Sequence, residues 1–411
     1  MDGNYHNNYQ PITTTLMKLF IILPRFPYPT EKGDKLRAFN QIKILSTKHE
    51  IFLFALSHSR VSKEDYQKVK PYCSHIIIFK LNLITVLWNL FIALFKGWPL
   101  QVGYYFSMRA QRRVHSAIRK FKPNHIYCQL LRTAPYAFQI DIPKTIDYQD
   151  VFSKGVERRI PSANIFMKGI LSFELNRLKK FEYRIFNLFD NKTIISLPDR
   201  DCIPHPDKEK IIIIPNGVDL QYFKPYKSKK ITDLLFTGNM GYPPNIDCAE
   251  YLVRKVLPLI HAKYPDIKIT IAGASPHQRV KALASENVIV TGWVDDIREY
   301  YAGARIFMAP LRLGTGLQNK LLEAMAMKLP CITSTLCNSA LKANVDSEIL
   351  IGDNSQEVAE KAFFLIEHNE SADSIGSNGN EFVRNNYSWT GATEKLSAIF
   401  ENSDIKKSVI N

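Results

Sequence analysis

Short apolar runs alternate along the whole chain with longer stretches of mixed polarity. In the first half the runs are Leu19–Leu23, Glu50–Leu56, His75–Lys80, His125–Gln129, Lys144–Asp147, Lys192–Ser196 and Ile211–Ile214. In the second half they are Asp233–Thr237, Lys268–Ala272, Val288–Thr291, Ile306–Ala309, Cys331–Thr333 and Glu348–Ile351. Most are continuous rather than alternating and rich in Ile, Leu and Phe, the pattern of parallel strands covered on both faces. Between them the spacing predicts helices over Lys35–Lys48, Asn176–Phe189, Asn245–Tyr264, Asp296–Ala302, Asn319–Met327 and Gln356–His368. Strand–helix alternation in both halves predicts an α/β chain of two doubly wound domains. The seam falls in the basic, Pro-containing stretch Gln221–Lys230. Two facing domains of this kind bind ligand where the carboxyl ends of their strands meet.

One segment breaks the pattern. Leu83–Phe95 is almost wholly apolar, but thirteen residues fall short of the roughly 20 that span a hydrocarbon core. Apolar positions all round such a helix fit burial, whereas Trp88, Trp98, Lys80 and Lys96 at its flanks fit a membrane interface. Downstream, Arg109–Lys122 reads as a helix with a cationic solvent face. On its own that face is an ordinary solvated one. Beside the apolar segment, a membrane-surface role competes with it equally.

Composition narrows the field. The chain has 411 residues, 45% hydrophobic and 23% charged, which excludes a disordered chain. Its net charge of +15 is unevenly placed. Residues 1–225 hold 34 Lys+Arg and 18 Asp+Glu, a net of +16, and the remainder hold 20 and 21, a net of −1. A nucleic-acid coat would be basic throughout, and no nucleic-acid motif is present. Six scattered cysteines form no Cys-x-x-Cys pair and no zinc spacing, as in a reduced cytosolic protein. The polar N-terminus and the short run ending at Pro24 do not make a signal peptide. Neither a Gly-x-Gly-x-x-Gly nor a Walker motif occurs, so no dinucleotide or P-loop cofactor is indicated.

The segment richest in chemistry is Met308–Pro330. A strand ends at Pro310, a loop with Gly314 and Gly316 follows, and a helix then carries Lys320 in its first turn and Glu323 one turn on. Glycine admits close backbone approach, and a helix N-terminus favours an anion. This reads either as a diphosphate cradle with a carboxylate for a ribose diol, or as a glycine turn before an ordinary amphipathic helix. Asp147-Tyr-Gln-Asp150 and Ser153 follow a strand and are either cleft residues or helix caps. Asp199-Arg-Asp201 shares that ambiguity, and Asn216 near the hinge reads as a turn residue.

Gly316…Lys320-Leu-Leu-Glu323-Ala-Met-Ala-Met with Pro330 resembles the donor-site signature of retaining glycosyltransferases of family 4, which have the GT-B fold. Pro27–Gly33 with Arg37 resembles the family's first glycine loop. Ile214-Pro-Asn-Gly-Val-Asp219 with Phe223 resembles its pre-linker motif. Phe236–Asn245 opens the second domain, Gly292-Trp-Val-Asp-Asp296 resembles its G-x-V-x-D turn, and Tyr387-Ser-Trp389 precedes the last helix. The resemblance covers almost the whole chain and points to a bacterial subgroup linked to exopolysaccharide and surface-glycan assembly.

It implies two facing Rossmann-like domains with a C-terminal helix that crosses back onto the first. The acceptor-side domain would be residues 1–225 plus about 390–411, and the donor domain 226–389. The implied activity is sugar transfer, with retention and without metal, from a nucleotide-diphosphate-sugar to a glycan or lipid-linked acceptor. The implied location is cytoplasmic and peripheral on an anionic membrane face. Glu323 would hold the ribose. Thr315, Gly316, Leu317 and Gln318, after Gly314, would meet the diphosphate and sugar, and Lys320 would neutralise phosphate charge. Gly33, Arg37, Gly238, Asn239 and Val294 would complete the substrate site. Three departures stand out. Thr315 replaces the first Glu of the family's E-x7-E motif. No Arg–Lys pair follows the first strand of the second domain, so the burden passes to Lys320 with help from Arg312. Family histidines after the strand near 125 are missing, which leaves Gln129 or Arg132 to face the acceptor and Asp150 as a candidate base. His125, alone, reads as structural. A GT-B epimerase and a non-catalytic GT-B binding protein remain the alternatives.

Overall fold

The computed structural model describes residues 16–161, 163–314 and 316–408. The first seven strands are β1 (Met17–Leu23), β2 (His49–Ser57), β3 (His75–Lys80), β4 (His125–Gln129), β5 (Lys144–Asp147), β6 (Asn191–Ile194) and β7 (Ile212–Ile213). They form one sheet in the order β3-β2-β1-β4-β5-β6-β7. The next six are β8 (Thr232–Thr237), β9 (Ile269–Ala272), β10 (Val288–Gly292), β11 (Ala304–Ala309), β12 (Cys331–Thr333) and β13 (Leu350–Ile351). They form a second sheet in the order β10-β9-β8-β11-β12-β13. Neighbouring strands are parallel throughout, for example Ile21 opposite Leu53 and Phe236 opposite Ile271. Strand order reverses between β1 and β4, and again between β8 and β11. Each sheet therefore has a switch point at the carboxyl ends of its central strands.

Each of the thirteen short apolar runs overlaps a strand, whereas Leu83–Phe95 is a helix. Helix limits moved more. Asn176–Phe189 is only the end of a helix that runs from Ile165 to Leu188, started by Asn164, whose side chain accepts from Met167 N. The expected helix over Asn245–Tyr264 is broken by a π-helical stretch, Leu252–Val256, where Pro258 cannot supply the N–H that a regular turn needs.

The C-terminal helix Trp389–Ser408 returns to the first sheet. Its Ala392, Leu396 and Phe400 share a core with Leu19, Ile21 and Leu23 of β1. His125 stacks on Phe400 at 4.7 Å and bonds Thr145 at 2.8 Å. Burial pushes its pKa down to about 3, so it is a neutral core histidine. The crossing also explains a glycine. The Trp389 backbone N lies 2.3 Å from where a Cβ of Gly217 would be.

One buried ion pair organises the first sheet. The Arg37 guanidinium, fully enclosed, donates Nε to Asp147 Oδ2 at 2.7 Å and Nη2 to Oδ1 at 3.1 Å. Tyr127 and Thr193 donate to the same carboxylate, at 2.9 and 2.8 Å. The remaining nitrogen, Nη1, donates to Asn216 Oδ1 at 3.0 Å. Removing one partner leaves a desolvated charge without a counter-ion, which costs about 3–5 kcal/mol. Arg37→Ala should therefore lose that much in guanidinium unfolding. A loss below about 1 kcal/mol, the range of an exposed pair, would show that the pair carries no such weight.

Candidate active site

The carboxyl ends of the two sheets face one another across a cleft of about 840 Å³. The second sheet's side is built around the helix Asn319–Ala326. No side chain caps its N-terminus, so its first N–H groups remain available to an anion. Lys320 sits in that first turn. Its ammonium donates to the neutral Asn245 amide oxygen rather than to a carboxylate, and lies 4.7 Å over the Phe236 ring. Desolvation lowers its pKa to about 8. Glu323 accepts from Tyr301 Oη at 2.8 Å, and Tyr301 is itself paired with Thr237 at 2.7 Å. Desolvation raises the Glu323 carboxyl to about 7.

The floor is formed by the ends of β8 and β9. Gly238 has φ +152°, and a Cβ there would press on the Asn245 amide at 2.7 Å and the Lys320 ammonium at 3.1 Å. Glycine lets Lys320 and Asn245 close over the strand end. Across the cleft stand Gly33, Arg25, Arg132, Gln149 and Asp150. Arg25 is paired with Asp34 at 2.7 Å. Partial desolvation raises the Asp150 carboxyl from its ordinary value.

Of the residues expected from sequence, Gly33, Arg132, Asp150, Gly238, Asn239, Val294, Leu317, Gln318, Lys320 and Glu323 line this cleft. Arg37 does not, because its guanidinium is spent on Asp147 and Asn216. Gln129 does not either, since its amide is buried under the loop and donates to Asp34 O at 3.0 Å. Gly314 and Gly316 have positive φ and sit on the rim. A Cβ at Gly316 would stand 3.3 Å from the Asp199 carboxylate of the opposite side. Thr315 lies outside the described residues. Arg312 is directed away from Lys320 into a bidentate pair with Asp247, at 2.7 and 3.2 Å. Neither Asp150 nor Ser153 caps the next helix. Glu182 does, accepting from Ser153 N at 3.0 Å.

Three cleft residues escaped the sequence reading. Trp293 is 65% exposed just past the carboxyl end of β10 and lines the cleft. Its signal was an aromatic residue just past a strand. Gln149 adopts φ +59° and is 6% exposed, and its amide nitrogen has no partner. Asn216 bridges the two sheets, donating to Asn319 Oδ1 at 3.1 Å, beside Lys320.

Comparison with known proteins agrees with this geometry. Residues 231–368 match the family model described as Glycosyl transferases group 1. A protein of the Klebsiella pneumoniae cps region, described as an uncharacterized 44.6 kDa protein, is 23% identical over 90% of this chain and 97% of its own. The Escherichia coli UDP-Gal:alpha-D-GlcNAc-diphosphoundecaprenol alpha-1,3-galactosyltransferase is 24% identical over 57% of this chain and 68% of its own. The solved structure of Anabaena Alr3699/HepE in complex with UDP superposes with a TM-score of 0.65 at 13% identity, covering 94% of this chain and all of that one. Fold and site thus define a GT-B protein of two facing α/β sheets. Its residues 231–368 are similar to the group 1 glycosyl transferases, and the chain as a whole shares the fold of the Anabaena structure.

The two titrating groups set a pH signature. If a nucleotide binds here, an ionised Glu323 would accept from its ribose diol and a protonated Lys320 would meet its phosphate. Affinity should rise as pH increases through about 7 and fall as it passes about 8. Calorimetric titration between pH 6 and 9 should show this maximum, and Glu323→Gln should flatten its acidic limb. A flat profile in the parent protein would separate these two groups from the nucleotide.

Proposed function

We propose that the protein transfers a sugar from a nucleotide-diphosphate-sugar to a glycan or lipid-linked acceptor, with retention and without a metal ion, in bacterial surface polysaccharide assembly. The observation that carries the reading is the uncapped helix N-terminus at Asn319. It bears a half-desolvated lysine and a carboxylate one turn apart, both turned into an inter-sheet cleft. Pre-positioned N–H groups and a cation stabilise charge that grows on a leaving diphosphate. In this reading Glu323 grips the ribose, Trp293 covers the base, and Leu317 and Gln318 follow the diphosphate. Lys320 neutralises it, and Asp150, with its raised pKa, takes the acceptor's proton. Residues 1–225 with about 390–411 form the acceptor side and 226–389 the donor side. The activity in the Escherichia coli relative's name supports sugar transfer, and the UDP in the Anabaena structure supports a nucleotide donor.

Purified protein mixed with a membrane extract and a panel of UDP-, GDP- and dTDP-sugars should release one nucleotide. Release with none of them would leave a non-catalytic binding protein.

The membrane face follows from charge and shape. Arg109, Arg112, Arg113, Arg119 and Lys120 project from the helix Met108–Phe121 into solvent. The helix Leu83–Phe95, on the same core, turns Ile84, Leu87, Trp88, Phe91 and Phe95 outward, with Ile84 and Phe95 77% and 78% exposed. No described helix is long and apolar enough to cross a membrane. Neutralising those five basic residues should weaken sedimentation with phosphatidylglycerol vesicles, more so at low salt. Unchanged sedimentation would retire the basic face as a membrane contact.

A further inference from the structure

A second, smaller cavity opens beside the cleft. Leu90, Leu100, Gln101, Tyr104 and Tyr105 line it, and Arg132 closes its inner end. Arg132 belongs to both cavities. The trench is therefore apolar along its length and cationic where it meets the candidate active site.

Arg132 is held firmly but incompletely satisfied. Its Nη2 donates to Gln101 Oε1 at 3.2 Å. Its guanidinium carbon lies 4.9 Å from the Tyr105 ring centre and 4.6 Å from that of Phe152. Its Nε is buried and has no hydrogen-bond partner. A buried N–H without an acceptor costs free energy unless a ligand supplies one. Burial lowers the pKa of this arginine, yet arginine stays charged, so the missing acceptor is best an anion. Arg25 stands next to it, donating to Tyr105 Oη at 3.0 Å.

The outer end of the trench leads to the exposed apolar face. Leu90 lies one helical turn from Leu87 and from Leu94, both exposed. The helix Ile165–Leu188 joins this surface. Its Arg177 donates to the carbonyls of Leu94 and Trp98, at 2.9 and 3.0 Å, and its first turns turn Ile165 (90%), Phe166, Ile170 and Phe173 outward. An apolar surface, an apolar trench and an unsatisfied guanidinium thus follow one another into the cleft.

We propose that this trench binds the acceptor as an anionic amphiphile. Its alkyl or polyprenyl chain would lie along Leu90, Leu100 and Tyr104, and its phosphate or diphosphate on Arg132. The reaction would then occur on a sugar carried beyond that phosphate, in the main cleft. The identity of the acceptor rests on the transferase reading above, whereas the presence of an anionic-amphiphile site does not.

The test uses the full chain without any sugar donor. Farnesyl diphosphate, farnesol and inorganic diphosphate are each titrated calorimetrically below the critical micelle concentration. Farnesyl diphosphate should bind at least tenfold more tightly than either of the other two. Arg132→Gln should weaken it about tenfold, Arg132→Lys should recover part of the loss, and Tyr104→Ala should weaken farnesyl diphosphate and farnesol alike. Inorganic diphosphate matching farnesyl diphosphate would overturn the proposal in favour of a soluble-phosphate site. Farnesol matching it would reduce the trench to a grease patch, and an Arg132→Gln affinity equal to the parent's would remove the guanidinium from the site. Since no donor is present, failure here leaves the nucleotide-release result standing. A negative nucleotide-release result likewise leaves this one standing.

Discussion

The molecule hangs on the buried pair of Arg37 and Asp147. Asp147 ends β5, one strand from the first sheet's switch point, and Arg37, Tyr127 and Thr193 converge on its one carboxylate. Charges moved out of water cost several kcal/mol each, and only such a full set of donors repays the cost. The net gain in stability is small. What the arrangement supplies is position. The spare guanidinium N–H reaches Asn216, just past β7, and Asn216 donates to Asn319 at the mouth of the Lys320 helix. The chain from Asp147 to Asn319 therefore sets the first sheet's core against the uncapped N-terminal end of a helix in the second. Any change at Arg37 reaches the cleft without touching a ligand.

This explains which parts of the site were legible in the sequence. Strands were, because parallel sheets covered on both faces leave continuous Ile, Leu and Phe runs that little else produces. The Lys320–Glu323 spacing was legible too, because a helix fixes the geometry of residues three apart whatever surrounds them. Arg37 was read as a ligand contact because a cation after a glycine loop has that chemistry locally. Its true partner is 110 residues away. Gln129 and Arg312 went astray for the same reason, each being claimed by a distant group, Asp34 O and Asp247. Asn216 erred the other way, reading as a turn residue when it bridges the sheets. Gln149 left no local trace, since its left-handed backbone and orphaned amide exist only once β5 is placed.

The two sides of the cleft divide the chemistry unequally. On the second sheet's side, one lysine and one uncapped helix end face the cleft, and residues 226–411 carry a net charge of only −1. A local cradle needs no general field. The first half carries +16, and much of that faces solvent on Met108–Phe121 rather than the cleft. Long-range attraction and close recognition are thus assigned to different places. Exposed charge acts over about a Debye length and is screened by salt, whereas Lys320, Arg25 and Arg132 act at contact in partly dry surroundings.

The helix Leu83–Phe95 is buried on one face only. Val86 and Ala93 are buried in the first core, as an all-round apolar helix requires. Its other face is bare. What fixes the helix is polar and lies at its ends and flank: Asn82 caps the start, Asn89 donates to Phe106 O, and Arg177 takes the last carbonyls. Because backbone and side-chain bonds hold the helix in place, its outer face need not be covered for the fold to stand. A soluble domain gains nothing from Trp88, Phe91 and Phe95 in water, since each would contribute about 1.5–3 kcal/mol if buried. Their exposure next to a trench that ends on an unsatisfied arginine gives that cost a physical use. In the proposed arrangement, the surface that would meet an apolar phase would also lead an anionic headgroup into the cleft.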